Sequence, residues 1–280
     1  MKSSAELRIE IDLLLRQIIE SDKREGKLSS LHSTLSTIDK LKFSLIKNLD
    51  QIDEWMPYVM LFSNRLWFTK MIQQYEIWKL TQDIPGHVVE LGVHFGESFM
   101  HFAKFIEMFN MGERETRVIG FDTFSGFPSI SSNDKSLKNQ KEDGPLRVAV
   151  GGFFSGESAY QRLLELIEIF ESDHFIPQKP RLQLIKGDVL ETLPKFVKDN
   201  PGLRISLLHL DLDLYEPTLC ALENLYPLVS PGGVIILDEY GQEKFPGESK
   251  AFDEYFKNKR PKLSKSRIVS NPSGWFIKEN

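Results

Sequence analysis

Cysteine is almost absent from this sequence, and so is any large excess of positive charge. Cys220 is the one cysteine among 280 residues, which excludes an intramolecular disulfide framework and a cysteine cluster that could hold zinc. There are 35 Lys and Arg against 40 Asp and Glu, and the formal net charge is −5. This charge argues against a broad basic surface for nucleic acid.

Long apolar runs are absent as well. No run approaches the roughly 18 residues that a membrane span needs. Acids interrupt the apolar stretch near the amino terminus, which argues against a secretory signal. We therefore expect a cytoplasmic, mildly acidic protein with neither nucleic acid nor membrane as a partner.

What the chain does contain is two regions of different pattern, and the first covers residues 1–83. Apolar residues recur at helical spacing over residues 7–19 and 41–49, and an aromatic-rich helical stretch follows at 67–78. Such helices cannot bury all of their apolar faces alone. We predict a helical amino-terminal extension that packs on the main domain, covers the site or helps to form a homo-oligomer.

From residue 84 to residue 280, short apolar strands alternate with helical segments. This order predicts an α/β domain with a doubly wound, mostly parallel sheet and helices on both faces. Residues 267–278 are expected to add one or two antiparallel strands. The parallel strands are predicted at residues 87–91, 117–121, 182–186, 205–210 and 233–237.

One stretch, residues 128–156, does not fit the alternation. It is rich in Ser, Lys, Asn and Gly and shows little periodicity. A loop of this length in a compact domain is usually functional or mobile. We predict a lid over the site, with a solvated loop as the alternative.

Acidic residues stand at the ends of most predicted strands. Asp122, Asp188, Asp211 and Asp238 each end or follow a strand, and Glu90 precedes the turn after the first strand. In open α/β sheets, ligands bind in the crevice beyond the carboxyl ends of the strands. These acids should therefore converge on one site.

The turn after the first strand, residues 90–96, reads ELGVHFG. His94 stands where the middle glycine of a dinucleotide-binding turn would let a pyrophosphate approach the backbone, and no GxxxxGK[ST] phosphate loop occurs in the sequence. Asp122 stands where doubly wound folds place the acceptor of both ribose hydroxyls. These features indicate a nucleoside without pyrophosphate, such as S-adenosylmethionine.

Four sequence blocks narrow the class further. They are VVELGVHFGES, GFDTFSGFP, GDVLETLP and LHLDLDLYEPTLCALENLYPLVSPGGVIILDEY, in this order within residues 84–256. In order and spacing they resemble the macrocin O-methyltransferase type of class I methyltransferases. The resemblance implies a Rossmann-like methyltransferase fold, and S-adenosylmethionine-dependent methylation of a hydroxyl, typically on a sugar, assisted by a divalent metal.

The resemblance also implies a role for each matching residue at the S-adenosylmethionine site. Three residues match the methionine side, one the ribose and two the adenine side. They are Glu90, Gly92 and Ser98, then Asp122, then Gly187 and Asp188.

The acids after the fourth and fifth strands match the family's metal and catalytic positions. Asp211 matches a metal ligand and Asp213 the proposed general base. Asp238 and Glu239 stand where the family has two adjacent aspartates as further ligands, so Glu239 departs from that pattern. Carboxylate oxygens suit Mg²⁺, although the longer Glu side chain alters the geometry.

Other interpretations remain open. The acceptor is expected to be a glycosylated metabolite, a nucleotide-sugar or a surface glycan, but a phenol or catechol acceptor would need a weaker base. The chain could also be a nucleoside-binding protein of the same fold without turnover, and a nicotinamide dehydrogenase is the weakest alternative because of the altered turn. Asp211 and Asp213 alternate along a strand end, so one of them could be structural, and His209 reads as a core histidine.

Overall fold

The computed structural model describes residues 40–41, 44–45, 51–113, 115–139, 147–176 and 179–279. The predicted helix at 7–19 lies outside the described residues, and so does most of the one at 41–49. The third predicted helix is present, since an α-helix spans Arg65–Trp78.

The central element is a six-stranded sheet with the order β3-β2-β1-β4-β5-β6. The first five strands are parallel, and β6 pairs with β5 in the antiparallel direction. This is a doubly wound order, in which the chain reverses direction across the sheet next to β1. The predicted fold class is confirmed. The strands are β1 (His87–Leu91), β2 (Val118–Asp122), β3 (Leu182–Lys186), β4 (Ile205–Leu210), β5 (Val229–Leu237) and β6 (Gly274–Ile277).

Helices connect the strands. The α-helices are α1 (Ile52–Trp55), α2 (Arg65–Trp78), α3 (Glu97–Phe109), α4 (Glu157–Ser172), α5 (Val189–Asp199), α6 (Tyr215–Leu225) and α7 (Pro246–Phe256). Short 3₁₀ helices lie at Met56–Phe62, Lys79–Thr81, Ser132–Asp134 and Tyr226–Leu228. None of the helices in the described part of the chain is long and apolar enough to cross a membrane.

Alternate residues of the strands enter two separate hydrophobic cores, because successive side chains point to opposite faces of a sheet. On one face, Val89 and Leu208 pack with helices α5, α6 and α7. On the other, Val88 and Leu207 pack with α3, α4 and the end of α2. Both faces are covered, which is why the strands are apolar almost throughout.

Strand β5 differs from its prediction because it begins at Val229 instead of residue 233. Its first half contains Pro231 and Gly232, and the register against β4 shifts there. Pro cannot donate to the ladder, and Gly232 takes a φ of +83°. The strand is therefore irregular where the sequence reads as a turn.

The described residues fall into two units, divided between Thr69 and Lys70. The first contains α1, the Met56–Phe62 helix and the start of α2. The second contains the whole sheet. The predicted extension at 1–83 and methyltransferase domain at 84–280 stay predictions.

Candidate active site

A cavity of about 470 Å³ lies beyond the carboxyl ends of the parallel strands. Seven of the ten residues predicted for the site line this cavity, whereas Glu90, Ser98 and Gly187 do not. The acids of distant sequence segments are thus brought together, as expected for strands that end at one edge of a sheet. The seven are Gly92, Asp122, Asp188, Asp211, Asp213, Asp238 and Glu239.

The turn after β1 is shaped by Gly92. Its φ is +92°, and a Cβ atom there would lie 1.7 Å from the carbonyl oxygen of Asp211. Only a residue without a side chain permits this approach of β1 to the end of β4. Gly92 therefore lets the Asp211 main chain pass directly beside the turn.

Asp122 organises the same turn with both of its carboxylate oxygens. Oδ2 accepts a hydrogen bond from the His94 amide at 2.7 Å, and Oδ1 accepts one from the Phe124 amide at 2.6 Å. His94 and Phe124 both have positive φ values, of 52° and 56°. A carboxylate can accept about four hydrogen bonds, so each oxygen keeps capacity for a donor from a ligand in the cavity.

Asp188 and Gly187 follow β3. The Asp188 side chain caps helix α5 by accepting a hydrogen bond from the Leu190 amide at 2.9 Å. The Gly187 amide donates to the carbonyl oxygen of Asp122 at 2.9 Å. Asp188 lines the cavity. Gly187 does not line it, but its hydrogen bond connects the end of β3 to the end of β2.

Asp211 and Asp213 both line the cavity, although they are two residues apart in the turn after β4. The backbone of Asp213 explains this, because its φ of 62° lies in the left-handed region. That conformation costs about 1–3 kcal/mol in a non-glycine residue and is common at functional sites. The turn therefore presents both carboxylates to one space.

Glu90 and Ser98 are buried in contact with each other beside the cavity. The Ser98 hydroxyl donates a short hydrogen bond to Glu90 Oε1, and His209 Nδ1 lies 3.4 Å from the same oxygen. The other His209 nitrogen, Nε2, lies 3.4 Å from Asp238 Oδ1. His209 is fully buried, as its place in β4 suggests, but it joins two acids instead of packing only among apolar groups.

The pKa values around the cavity are set by burial and by neighbouring charges. Burial raises the pKa of Asp213 to about 7, and the nearby Asp238 carboxylate adds to this. Burial and like charges also raise the pKa values of Asp211, Glu239 and Glu248 well above their usual range. So many carboxylates in one place repel one another and favour a bound cation or protons.

Two cationic side chains offset part of this charge. Burial alone would lower the pKa of His209, but its contacts with Asp238 and Glu90 raise it to about 10. Burial likewise opposes the charge on Lys70, yet Asp238 and Asp211 raise its pKa above its ordinary value. His209 also helps to hold the pKa of Asp238 below its usual range, against the effect of burial.

A metal-sized group of ligand atoms lies in the same place. His209, Asp211 and Asp238 each offer one atom, and among the described residues these three atoms lie within 4.8 Å of one another. Both ring nitrogens of His209 already face carboxylates, so His209 serves more readily as a counter-charge than as a ligand. The predicted ligand Glu239 lies outside this group of three. Its Oε2 atom is nevertheless buried and has no hydrogen-bond partner among the described residues, as expected of an oxygen that a cation could complete.

An aromatic wall formed by Phe127, Phe153 and Phe245 closes another side of the cavity. The ring centroids of Phe127 and Phe153 are 5.2 Å apart, and those of Phe153 and Phe245 are 5.9 Å apart. Phe153 belongs to the predicted lid, so this loop contributes directly to the cavity.

The first part of the predicted lid is held in place by side chains. Asp134 is buried and accepts hydrogen bonds from the Tyr215 amide at 2.6 Å and from the Ser131 amide at 2.8 Å. Asn139 Nδ2 donates to the carbonyl oxygens of Asp134 and Lys244 at 2.7 and 2.8 Å. These bonds attach residues 131–139 to the start of α6 and to the segment before α7.

The predicted site does not include Lys70, Glu248 or Asn271. Lys70 and Asn271 line the cavity, and Glu248 Oε1 accepts a hydrogen bond from the Glu239 amide at 3.1 Å. All three lie away from the ends of the parallel strands in the sequence. No sequence motif marks them, because they reach the site only through the packing of α2, of α7 and of the segment before β6.

The doubly wound sheet, with a crevice of acids beyond the carboxyl ends of its strands, defines an open α/β fold. Comparison of structures narrows this to the Rossmann-like methyltransferase fold. The crystal structure of CalS11, a calicheamicin methyltransferase, matches with a TM-score of 0.77 and 27% identity, covering 87% of this chain and 91% of that one. An apo structure, titled CalS11, TDP-rhamnose 3'-O-methyltransferase, matches with a TM-score of 0.72 and 26% identity, covering 87% and 93%.

The sequence profile of the Macrocin-O-methyltransferase (TylF) family matches residues 53–266. This chain belongs to that family, as the sequence blocks indicated.

Two curated relatives support the same grouping. The 8-demethyl-8-(2,3-dimethoxy-alpha-L-rhamnosyl)-tetracenomycin-C 4'-O-methyltransferase of Streptomyces olivaceus is 30% identical over 165 residues, which are 58% of this chain and 55% of that protein. The mycinamicin III 3''-O-methyltransferase of Micromonospora griseorubida is 26% identical over 165 residues, 58% of each chain. The matched region thus spans little more than half of the length of these relatives.

Proposed function

We propose that this protein is an S-adenosylmethionine-dependent O-methyltransferase that methylates a sugar hydroxyl with the help of a divalent metal. The observation that carries the proposal is the set of carboxylates from four strand ends that line one cavity. The relatives named above act, by their names, on rhamnosyl tetracenomycin and mycinamicin, and CalS11 on TDP-rhamnose. A glycosylated metabolite, a nucleotide-sugar or a surface glycan is therefore the acceptor class.

The charge of the cavity lining suits the donor. Asp122 would accept hydrogen bonds from the ribose hydroxyls, since its two oxygens keep free lone pairs. Asp188 and Gly187 would border the adenine, and Gly92 the methionine part, with Glu90 and Ser98 behind it. A cavity lined by carboxylates attracts a sulfonium cation and repels the pyrophosphate of a dinucleotide.

Asp213 is the general base of the proposal. A sugar hydroxyl is a poor nucleophile until its proton is removed, and a base with a pKa near neutral pH is suited to this transfer. A lone pair of the acceptor oxygen attacks the methyl carbon, the carbon–sulfur bond breaks, and its electrons stay on sulfur. The hydroxyl proton passes to Asp213, and S-adenosylhomocysteine leaves.

The acids present also fit Mg²⁺. Asp211, Asp238 and Glu239 would hold it, because hard carboxylate oxygens are the ligands that Mg²⁺ prefers. When bound, the metal would supply Lewis acidity that lowers the pKa of the acceptor hydroxyl.

The surroundings of the reaction complete the proposal. Residues 128–156 would close over the bound substrates and exclude water. We also propose a cytoplasmic location and a homo-oligomer, with neither nucleic acid nor membrane as a partner.

The direct test is methyl transfer. The protein is incubated with S-adenosylmethionine and either a deoxysugar nucleotide, a rhamnosylated metabolite or a catechol, with Mg²⁺ or with EDTA, and products are analysed by mass spectrometry. Asp213→Asn should lower the rate on sugars by about 10²- to 10⁴-fold, whereas Asp199→Asn, an exposed acid at the end of α5, should not.

Each alternative has its own outcome. Preferential binding of NAD over S-adenosylmethionine in calorimetry would contradict the central proposal. Transfer to the catechol with only a mild effect of Asp213→Asn would support the phenolic alternative. Binding of the donor with no transfer to any acceptor class would favour a protein without turnover.

A further inference from the structure

Asn271 makes contacts that none of the predicted roles includes. It lies between α7 and β6, more than 30 residues from the acids that it touches, and it lines the cavity. Its side-chain nitrogen Nδ2 lies 3.0 Å from Asp238 Oδ2 and 3.0 Å from Glu239 Oε1. One amide group thus donates to two neighbouring carboxylates.

A second amide fixes the orientation of the first. Gln242 Nε2 donates to Asn271 Oδ1 at 3.1 Å and to the carbonyl oxygen of Asp238 at 3.2 Å. Because Asn271 Oδ1 accepts this bond, its Nδ2 must face the acids. Both hydrogens of Nδ2 are then used, one on each carboxylate.

These bonds leave one of the four carboxylate oxygens of Asp238 and Glu239 without a partner in the described part of the chain. Asp238 Oδ2 and Glu239 Oε1 are occupied by Asn271. Asp238 Oδ1 lies 3.4 Å from His209 Nε2, and Glu239 Oε2 is buried without a hydrogen-bond partner within the described residues. An unpartnered buried carboxylate oxygen is costly unless a cation or a donor completes it.

We propose that Asn271 is a positioning residue for a divalent cation at Asp238 and Glu239. It donates one hydrogen bond to each carboxylate, holds the two acids in a fixed arrangement, and leaves Glu239 Oε2 available to a cation. Gln242 holds the Asn271 amide in the orientation that this requires. The inference rests on the proposed metal site and adds two residues to it.

Residues that donate hydrogen bonds to metal ligands commonly affect the affinity for the metal. Their loss typically weakens metal binding by about 10- to 100-fold, because the ligands no longer point at the ion. Asn271 contacts two of the three proposed ligands. Its effect should therefore appear in metal affinity and not in the binding of the donor.

The test measures Mn²⁺ binding to the full chain. Binding is monitored by the loss of the electron paramagnetic resonance signal of the free ion. Mn²⁺ is a suitable probe because it shares the preference of Mg²⁺ for carboxylate oxygens. Asn271→Leu, which keeps a similar volume but has no donor, should raise the Mn²⁺ dissociation constant by about 10- to 100-fold. Gln242→Leu should raise it less, and it keeps the test open if Asn271→Leu does not fold.

The matched control is Asn224→Leu, since Asn224 Nδ2 bonds to the Cys220 carbonyl oxygen on α6 at 2.8 Å. It should bind Mn²⁺ like the unaltered protein. S-adenosylhomocysteine affinity in EDTA, measured by calorimetry, should be the same for all variants.

Three results would overturn the inference. One is Mn²⁺ binding that is unchanged in Asn271→Leu and in Gln242→Leu. Another is an equal loss of Mn²⁺ and S-adenosylhomocysteine affinity, which would indicate general disruption. The third is the absence of Mn²⁺ binding by the unaltered protein. Methyl transfer in EDTA would then show that the proposed transferase activity does not need a metal.

Discussion

Unusual backbone conformations concentrate at the cavity. Of the described non-glycine residues with positive φ, His94, Phe153 and Asp213 line the cavity and Phe124 is bonded to Asp122. Each such conformation costs about 1–3 kcal/mol and persists only where neighbouring groups enforce it. Asp122 supplies this constraint for His94 and Phe124, so a single carboxylate shapes the loop and lines the cavity.

Gly92 offers a clean test of the glycine turn. In Gly92→Ala the new Cβ would lie 1.7 Å from the Asp211 carbonyl oxygen, so the turn or the end of β4 must move. We expect the free energy of unfolding to fall by more than about 2 kcal/mol, or the affinity for S-adenosylhomocysteine to be lost. Urea denaturation and calorimetry measure the two effects.

Gly151→Ala is the matched control. Gly151 also has a positive φ, of 74°, but no atom lies within 4 Å of its would-be Cβ. It should show only the conformational penalty, about 1–2 kcal/mol, with donor binding intact. Equal effects of the two substitutions would contradict the steric explanation for Gly92.

Among the secondary-structure elements, a buried ion-pair network joins the outer end of α3 to the start of β3. Arg181 Nε donates to Glu107 Oε2 at 2.7 Å, and Arg181 Nη2 donates to the Glu113 carbonyl oxygen at 2.7 Å. Glu171 at the end of α4 accepts from the amides of Arg181 and Leu182 at 2.8 and 2.9 Å. Arg181 thus connects α3, α4 and the start of β3 at the edge of the sheet opposite the cavity.

This network predicts a pH-dependent part of the stability. Burial alone would raise the pKa of Glu107, but the Phe175 amide and Arg181 lower it overall. A carboxylate with a lowered pKa stabilises the fold above its unfolded value of about 4.3 and loses this effect as the pH falls through the folded value. Glu107→Gln should therefore cost about 1–3 kcal/mol at pH 7, and the difference from the unaltered protein should disappear in acid.

Urea denaturation across this pH range measures that difference, and Glu165→Gln is the control because Glu165 is exposed on α4. A constant difference at all pH values would show that the Glu107 charge is not the cause.

The lid segment predicts a second effect at this scale. Asp134→Ala removes the acceptor of the Tyr215 and Ser131 amides, so residues 131–139 should detach more often from α6. Trypsin should then cleave after Lys135 and Lys138 several-fold faster. Asp173 is an exposed acid after α4, so Asp173→Ala should leave these rates unchanged. If Asp134→Ala is cleaved no faster than the unaltered protein, other contacts hold the segment.

At the scale of the whole molecule, the acids of four strand ends meet at one edge of one sheet. Since the cavity is lined by residues from many parts of the Lys70–Asn280 unit, a ligand bound in it should stabilise that unit as a whole. At 100 times its dissociation constant, S-adenosylhomocysteine should add about 2.7 kcal/mol and raise the melting temperature by roughly 5–10 °C. Differential scanning calorimetry measures the shift.

Asp122→Ala should abolish this shift, and NAD should produce none. A comparable shift with NAD would indicate a dinucleotide site. No shift with S-adenosylhomocysteine at saturating concentration would contradict the predicted donor.

Local pattern was sufficient for much of this protein. The alternation of apolar strands and amphipathic helices predicts a doubly wound sheet, because each element must bury its apolar side chains at its own period. The predicted start of β5 is wrong, because Pro231 and Gly232 are typical of a turn although the strand already begins at Val229. The position of Asp122 at a strand end predicts its place at the cavity for the same local reason.

The order of the elements, the family and the set of acids at the strand ends can be predicted from periodicity and from motifs within short segments. Packing in three dimensions is what brings Asp211 and Asp213 to one cavity and places His209 between Glu90 and Asp238. It also brings Lys70 and Asn271 to the same cavity. These contacts join residues about 30 to 170 positions apart, and they depend on how the helices pack on the sheet. No local pattern encodes them, since an isolated Lys or Asn has the same appearance on any polar surface.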